Sequence, residues 1–446
     1  MMNSEFWLSQ IQFYLSLGFM SLFLVTELGL AWVLLFFKIC AHRSADTAWT
    51  AAYRFWVRVF ALAFILTFAS SMPVLIQFGS LWPSLMNRIG EIAGPLLAAA
   101  IFTTFIFKSC FLGAMLFGHR HLSERVHTFI VFMVAIGVTI AALWLVVLQS
   151  WMQTPAGGNV VNGQYRVTDW AGVIFNPSVG WYAGLLVLTS VLTVAFLLAG
   201  VSAIQSLRRP VGESERLVFR TALIMGLAGV VLQALVSAGA GQAIAQHQPA
   251  KAAATAAYWH SGSQPELLVF AWPDSATQSN RAALALPYAA NRWLGRDVRG
   301  EPRGLDQFSG MSPPVAVTFW SFRIALYVWM LMAIVSFVSF IRARRHRFNP
   351  GGLSRRWRWV VTGMTFSGWV MCLAGMAHTF FGLYPYAVNG TVTISEISGD
   401  VQGDVLLGGI VVHVVFYLVL LAGFFQLLGH IERYGVVPVA RRRGRA

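Results

Sequence analysis

The chain has 446 residues, of which 57% are hydrophobic and 11% are charged, and its formal net charge is +15. A soluble globular chain of this length does not need so much apolar surface, so the composition indicates a polytopic membrane protein. The positive charge lies mostly between apolar runs and predicts topology, and we expect no nucleic-acid partner. The three cysteines, Cys40, Cys110 and Cys372, lack metal-ligand spacing, and we expect neither a disulfide framework nor a metal site.

Nine apolar runs are long enough to cross about 30 Å of hydrocarbon, and each predicts a transmembrane helix. In chain order they are residues 11–38, 55–79, 94–117, 127–149, 179–204, 217–240, 314–341, 357–382 and 405–429. No basic segment or cleavage site accompanies the first run, so we expect it to be retained as a span. The predicted fold class is therefore an all-α polytopic membrane protein.

The connections between the runs alternate in charge. Counted from the first span, the odd connections and the C-terminal tail carry most of the cationic residues, and residues 341–358 alone hold seven arginines. The even connections are longer and poor in positive charge for their length. By the positive-inside rule, the N-terminus lies outside and the C-terminus lies in the cytoplasm.

One long connection, residues 241–313, lies on the outer side in this topology. It holds "GQAIAQHQPAKAAATAAYW" (241–259), which predicts a helix, and "ELLVFAWPD" (266–274), which is too short to span a bilayer. A loop this long within a compact membrane protein is usually functional or a docking surface.

Six stretches together carry a resemblance to a known family. They are "IQFGSLW" (76–82), "ALWLVVLQSWMQTPAG" (142–157), "FNPSVGW" (175–181), "QPAKAAATAAYW" (248–259), "PPVAVTFWSFR" (313–323) and "SGW" (367–369). In this order and topology they resemble subunit I of cytochrome bd-type ubiquinol oxygen reductases, from about residue 10 to residue 430. The resemblance implies a nine-helix subunit of a respiratory complex in the inner membrane of a prokaryote. That family oxidises quinol with oxygen at two high-spin hemes, fed by a low-spin heme b.

The resemblance also implies a division of the chain into four parts. Residues 1–240 form a six-helix membrane part that includes a four-helix core, and residues 241–313 form an outer segment that corresponds to the family's quinol-binding loop. Residues 314–430 form a three-helix membrane part, and residues 431–446 form a basic cytoplasmic tail.

Most functional positions of the family are replaced in this chain. They fall on Met20, Ala100, Lys108, Leu185, Ala256, Ala325 and Leu373, and the signature "GRQPW" reads "GMAHT" (375–379). Lys251, Arg323 and Trp369 are kept. Heme iron needs an imidazole, thioether, thiolate or phenolate at its axial position, and Met20 can supply one whereas alanine and leucine cannot. The resemblance therefore implies a divergent paralogue that kept the fold and lost most heme ligands.

Two opposite charges are predicted at the same depth in the membrane. Lys108 follows Gly94 by 14 residues and Glu27 follows Gln12 by 15, so both lie about 21 Å into inward-running helices. Charges within a membrane usually pair or line a cavity, and we predict a Glu27–Lys108 ion pair in volume vacated by a heme. Alternatively, Lys108 reaches the cytoplasmic headgroups while Glu27 bonds a hydroxyl, or the two residues transfer protons.

Four further residues are candidates for a site. His378 and His413 lie within predicted spans at outer-leaflet depth, where they are either hydrogen-bonded within the bundle or ligands of a relocated heme b. Arg323 clamps a heme propionate or a lipid phosphate, pairs with an acidic loop residue, or is inherited without use. Lys251 could still contact quinone, although its acidic partner is replaced by Ala256.

The favoured function is a heme-poor scaffold or pseudo-catalytic subunit, paired with a heme-bearing subunit I, a subunit II-like chain, or both. Membrane lipid is an expected partner, and quinol is a candidate partner. One alternative is an active heme b oxidoreductase with the relocated ligands Met20, His378 and His413. Another is a proton-conducting or transport unit that uses Glu27 and Lys108, against which the lack of broken-helix patterns at mid-membrane argues. Whether this chain is itself an enzyme stays open at this point.

Overall fold

The computed structural model describes residues 4–44, 46–118, 122–262, 264–287, 291–397, 399 and 401–434. Within these ranges, nine helical segments are long and apolar enough to cross a membrane. The prediction of a nine-span, predominantly helical membrane protein is thus confirmed. The orientation of the termini stays a prediction, and the basic tail lies outside the described residues from residue 435 onward.

The helices follow one another along the chain, with the longest connection in the outer segment and two shorter ones, residues 154–169 and 382–402, that also contain strands. In chain order they are α1 (Ser4–Ser44), α2 (Thr47–Ser80), α3 (Pro83–Thr103), a π-helical segment (Thr104–Ser109), α4 (Cys110–Phe117), α5 (Glu124–Gln153), α6 (Trp170–Ile174), α7 (Val179–Arg208), α8 (Glu213–His247), α9 (Pro249–Ala256), α10 (Val315–Arg345), α11 (Arg355–Gly363), α12 (Ser367–Phe381) and α13 (Gly403–Tyr434).

Polar residues in the connections set where several helices begin. The Asp46 carboxylate accepts a hydrogen bond from the backbone N–H of Ala48 at 2.8 Å at the start of α2. The hydroxyl of Ser123 accepts one from Val126 at the start of α5. Such caps satisfy N–H groups that have no partner within the helix, and each contributes about 1 kcal/mol.

Helix α1 lies at the centre of the bundle, where every residue from 18 to 31 is buried. It packs against α2, α5, α7, α12 and α13. The approach to α7 requires a glycine, because a Cβ on Gly29 would lie 2.5 Å from the carbonyl oxygen of Ser190. A charged residue in this part of α1 is therefore remote from water.

The eighth span differs from its predicted form. The sequence predicts one helix over residues 357–382, whereas the structure breaks it between α11 and α12 at residues 364–366. The hydroxyls of Thr365 and Ser367 donate to backbone carbonyls of this turn, which offers the backbone an alternative to the helical ladder. Helix α7 passes close to the break, since a Cβ on Gly200 would lie 2.0 Å from Thr365 Oγ1.

Three antiparallel hairpins that the sequence did not predict lie in the connections. Their strands are β1 (Gly158–Val161) with β2 (Gln164–Val167), β3 (Leu267–Asp274) with β4 (Ser279–Leu286), and β5 (Tyr386–Val388) with β6 (Val392–Thr393). The stretch "ELLVFAWPD" is thus mostly strand β3. It pairs with β4 and packs on α10, so the outer segment is a folded layer with its own small apolar core.

Candidate functional site

Glu27 and Lys108 meet in the interior of the membrane part. Lys108 Nζ lies 2.8 Å from Glu27 Oε1, and the two side chains are 5% and 0% exposed. The ammonium also lies 5.1 Å from the centre of the Phe64 ring, a distance that suits a cation–π contact. The predicted proximity of the two charges is therefore present in the structure.

The backbone around Lys108 is π-helical over residues 104–109, which the sequence did not predict. Such segments insert an extra residue into a helix and are frequent at functional sites. Helix α5 packs directly on this segment, because a Cβ on Gly137 would lie 2.2 Å from Phe107 Cβ. The wide turn and the close α5 helix together hold Lys108 in the interior and not at the lipid-facing surface.

The ion pair is held by charge and not by directed hydrogen bonds. Although Lys108 Nζ is close to Glu27 Oε1, the angles are not those of a hydrogen bond, and neither carboxylate oxygen has a hydrogen-bond partner among the described residues. Next to it, the indole N–H of Trp369 donates to Thr26 Oγ1 at 2.9 Å. The tryptophan of "SGW" thus stabilises the turn of α1 that carries Glu27.

A cavity of about 310 Å³ lies beside the ion pair, between α1, α2, α3, α5 and α12. Its lining is almost entirely apolar and includes Met20, Ala100 and Lys108, three positions at which the resembling family has functional groups. Leu185, Ala325 and Leu373, at the other ligand positions, offer no atom that can bind iron. These positions do not fit a heme held by two protein ligands.

The structure does not bring Met20, His378 and His413 together. Met20 lines the cavity, and neither histidine does. His413 Nδ1 donates to the Gly409 carbonyl at 2.7 Å and its Nε2 lies 3.0 Å from Gln77 Nε2, so both ring nitrogens are engaged. A relocated heme shared by these three residues stays a prediction, which their separate contacts do not favour.

His378 faces the outer segment instead. Thr255 Oγ1 donates its proton to the Lys251 carbonyl at 2.7 Å, so the 2.8 Å contact with His378 requires the histidine to donate from Nε2. The ring also packs on Phe322, with centroids 5.4 Å apart. His378 therefore fastens α12 to the outer segment, as the hydrogen-bonded alternative from the sequence describes.

Lys251 is enclosed between the outer segment and the spans. Its side chain is among the largest fully buried ones, and Nζ donates to Gln153 Oε1 at 3.2 Å and to the Thr379 carbonyl at 3.3 Å. Gln248 also donates to Gln153 Oε1, at 2.8 Å. The chain makes room for the lysine at Gly382, where a Cβ would lie 2.7 Å from Lys251 Cε. Lys251 thus connects the outer segment to helices α5 and α12. Because it is fully buried, a ligand cannot reach it in this conformation.

Arg323 is equally enclosed and serves the outer segment. It donates from Nε to the Leu268 carbonyl at 3.0 Å and from Nη1 to the Thr255 carbonyl at 2.9 Å. Its guanidinium carbon lies 4.2 Å from the ring centre of Phe319. With 2% exposure and no ion pair among the described residues, it matches neither the predicted clamp for a propionate or lipid phosphate nor the predicted pair with an acid.

The cluster converges on Gln153, a residue that no sequence pattern singles out. Gln153 lies in the motif "WMQTP" and binds both Lys251 and Gln248, yet a glutamine at the end of a span carries no chemical signal by itself. The useful signal is the pairing of two motifs, "WMQTP" and "QPAK", each of which places a polar residue at the outer end of the bundle.

Burial of Lys251 predicts a pH-dependent stability. It lowers the pKa of the ammonium from 10.5 to about 7, because the charged form is desolvated. The folded state then binds fewer protons than the unfolded state between pH 7 and pH 10.5, so stability should rise with pH in that window, by at most about 1.4 kcal/mol per pH unit. Below pH 7 the cost of burying the charge is fully present.

Lys251→Met should flatten this rise, as measured by thermal unfolding of the purified chain between pH 6.5 and pH 9. Lys38→Met is the matched control, because it removes a lysine at the far end of the bundle. Equal pH slopes for the wild type and Lys251→Met would contradict the burial of an ionisable amine at this position.

Comparison with known proteins places the chain in context. The family described as "Cytochrome bd terminal oxidase subunit I" matches residues 8–436. The chain is 25% identical over 433 residues to cytochrome bd ubiquinol oxidase subunit 1 of Bacillus subtilis (strain 168), with 94% of this chain and 91% of that protein covered. It is 24% identical over 507 residues to cytochrome bd-II ubiquinol oxidase subunit 1 of Escherichia coli (strain K12), with 97% and 96% covered.

A solved structure has the same fold. The bd oxidase from Geobacillus thermodenitrificans superposes with a TM-score of 0.86 over 97% of this chain and 99% of that chain. The sequence identity is 21%, so this likeness concerns the fold alone.

Proposed function

This chain belongs to the family of cytochrome bd terminal oxidase subunit I, and on that premise we propose that it serves a bd-type respiratory complex as a heme-poor scaffold subunit. The family consists of heme-binding subunits of membrane complexes that use quinol, and this chain is an integral multi-pass membrane protein. The positions that would hold iron are, on the resemblance, among those that this chain does not share with the family.

One observation carries the proposal. Where the resembling family has two membrane glutamates, this chain has Ala100 and Lys108, and Lys108 pairs with Glu27 beside a cavity in which Met20 is the one family ligand position that keeps an atom able to bind iron. The Lys108 ammonium and the Glu27 carboxylate neutralise each other in this buried position. We infer that neither group is then free to bind iron or to exchange a proton. A subunit of this kind would stabilise the complex and bind its partner subunits without binding iron itself.

The enclosed Lys251 supports the same proposal. In the resembling family this lysine belongs to the quinol-binding loop. Here its ammonium donates hydrogen bonds to the Gln153 side chain and to the backbone carbonyl of Thr379. With Ala256 in place of the acidic partner, the outer segment lacks a charge pair for proton-coupled quinol oxidation. Quinol oxidation, if the complex performs it, then belongs to a partner subunit.

The proposed setting is the cytoplasmic membrane of a prokaryote, with the N-terminus outside and the C-terminus in the cytoplasm. The proposed partners are lipid and a heme-bearing subunit I, a subunit II-like chain, or both. We keep the four-part division of the chain, at residues 240, 313 and 430, as part of this proposal. An active heme b enzyme would need its ligands to converge, and the separate contacts of Met20, His378 and His413 do not favour it.

The proposal predicts a heme content near zero when the chain is purified alone. A pyridine hemochrome spectrum gives the ratio of heme to chain, and subunit 1 of the Bacillus subtilis relative, prepared in the same way, is the positive control. One or more hemes per chain would refute the scaffold role. Heme that appears only after co-purification with a partner subunit would support it.

A further inference from the structure

The cavity beside the ion pair contains two polar groups that have no partner. Gln10 and Trp82 both belong to its lining and are at least 93% buried, and neither Gln10 Nε2 nor Trp82 Nε1 has a hydrogen-bond acceptor among the described residues. A buried donor without an acceptor costs about 1–3 kcal/mol, and native proteins seldom retain one without a reason.

The two donors lie at the same end of the cavity. Gln10 is on the outer part of α1, and Trp82 lies between α2 and α3. The ring of Phe13, one turn from Gln10, packs on the Trp82 indole with centroids 4.6 Å apart. Gln10 and Trp82 therefore lie on either side of one aromatic residue, Phe13, in the chain and in the packing.

The rest of the cavity is long and mostly apolar, with hydroxyl and amide side chains such as Ser71 and Gln149 in its lining. Its lining along α1 runs from Gln10 to Val25, about 22 Å at 1.5 Å per residue. The charge at the inner end, Lys108, is already neutralised by Glu27. No free charge is left in the lining to attract an ion, so the occupant that fits is electrically neutral.

The cavity communicates with the lipid phase. Four apolar residues of its lining, on α2, on α3 and in the π-helical segment, are also exposed on the outside of the bundle: Phe68, Met72, Ile101 and Phe105. A gap edged by such side chains within a span faces hydrocarbon and not water. A ligand that reaches the cavity by this path must be soluble in the membrane.

We propose that this cavity binds a neutral, membrane-soluble molecule through a carbonyl oxygen, which accepts hydrogen bonds from Gln10 Nε2 and Trp82 Nε1 while an apolar chain leaves between α2 and α3. Two sources have this chemistry, namely the ring of an isoprenoid quinone and the ester group of a diacyl phospholipid. Lys251 itself does not line the cavity, although Gln153, which accepts a hydrogen bond from it, does. It rests on the proposed function in one respect, since a heme in the cavity would exclude this ligand.

The test uses the full chain, exchanged into lipid-free detergent and titrated with three probes under native mass spectrometry. The probes are menaquinone-4, a diacyl phosphatidylcholine and the matching dialkyl ether phosphatidylcholine, which lacks the ester carbonyl. Retention of menaquinone-4 would assign the site to a quinone. Retention of the diacyl lipid together with loss of the ether lipid would assign it to a phospholipid ester.

The variants Gln10→Met and Trp82→Phe remove one donor each and keep an apolar side chain in place. Each should weaken retention about fivefold, and the double variant more than about twentyfold. Gln12→Met is the matched control on the same helix, since Gln12 does not line the cavity. Unchanged retention in the double variant would overturn the proposal, as would retention of none of the probes or equal retention of the ether and diacyl lipids.

A second measurement separates loss of binding from loss of folding. Removing an unpartnered donor should leave the midpoint of thermal unfolding of the ligand-free chain unchanged or raise it, while the rise on adding the retained probe should disappear. A fall in the ligand-free midpoint would show that the donors serve the fold and not a ligand. A hemochrome signal in the same sample would refute both this proposal and the scaffold role, whereas no heme and no retained probe would refute this proposal alone.

Discussion

Glu27→Gln should destabilise the protein by about 3–5 kcal/mol, because it leaves the Lys108 ammonium buried without its counter-charge. Two features of the structure explain why this loss of stability should be large for a single substitution. The carboxylate is fully buried within the most central helix, and Lys108 has no other acid within reach among the described residues. The readout is the midpoint of thermal unfolding of the chain in detergent.

The double variant Glu27→Met/Lys108→Met should recover most of this loss. Burying two charges costs several kcal/mol of desolvation that their attraction only partly offsets, and apolar residues of similar volume are often as stable or more stable. A double variant as unstable as Glu27→Gln would show that the pair stabilises by more than mutual neutralisation. It would then point to a role for the charges themselves.

The matched control is the pair formed by Arg216 and Glu213 at the start of α8. Both side chains are accessible to solvent, at 37% and 50% exposure, so Glu213→Gln should cost less than about 1 kcal/mol. Oxygen consumption by the assembled complex adds a second distinction. A scaffold role predicts that the stable double variant keeps this activity, and a proton-conducting role predicts that it loses the activity.

The positions of the spans and the meeting of Glu27 with Lys108 could be predicted from the sequence for a simple reason. Both depend on distance along a helix, which is fixed at 1.5 Å per residue, and on the high cost of an unpaired charge in hydrocarbon. The depth of a residue in the membrane can therefore be counted from the end of its helix, wherever the sequence marks that end clearly.

Features that depend on how helices face one another could not be predicted in this way. The π-helical turn at Lys108 depends on the close packing of Gly137, and the break at Thr365 depends on Gly200 of a neighbouring helix. Whether Lys251 faces a ligand or the interior depends on the position of Gln153, which lies 98 residues away along the chain. Family motifs indicated which residues matter, but only the three-dimensional contacts reveal that they are enclosed.

Arg323→Lys should loosen the outer segment from the membrane part by about 3 kcal/mol. The guanidinium binds two backbone carbonyls at once, one on β3 and one on α9, and hydrogen bonds from a charged donor contribute about 1.5–3 kcal/mol each. Lysine keeps the charge but lacks the planar fork, so it can satisfy one carbonyl and leaves the other buried without a partner.

The rate of trypsin cleavage at Arg281 measures this change. The Arg281 side chain is 68% exposed, but its backbone belongs to the paired strand β4. Cleavage there requires local opening of the segment, and its rate follows the free energy of that opening. We expect cleavage at Arg281 at least about tenfold faster in Arg323→Lys. Arg345→Lys, at the other end of the same helix, is the control and should leave the rate unchanged. Equal rates in all three proteins would mean that the small apolar core around Phe319, and not the arginine, anchors the outer segment.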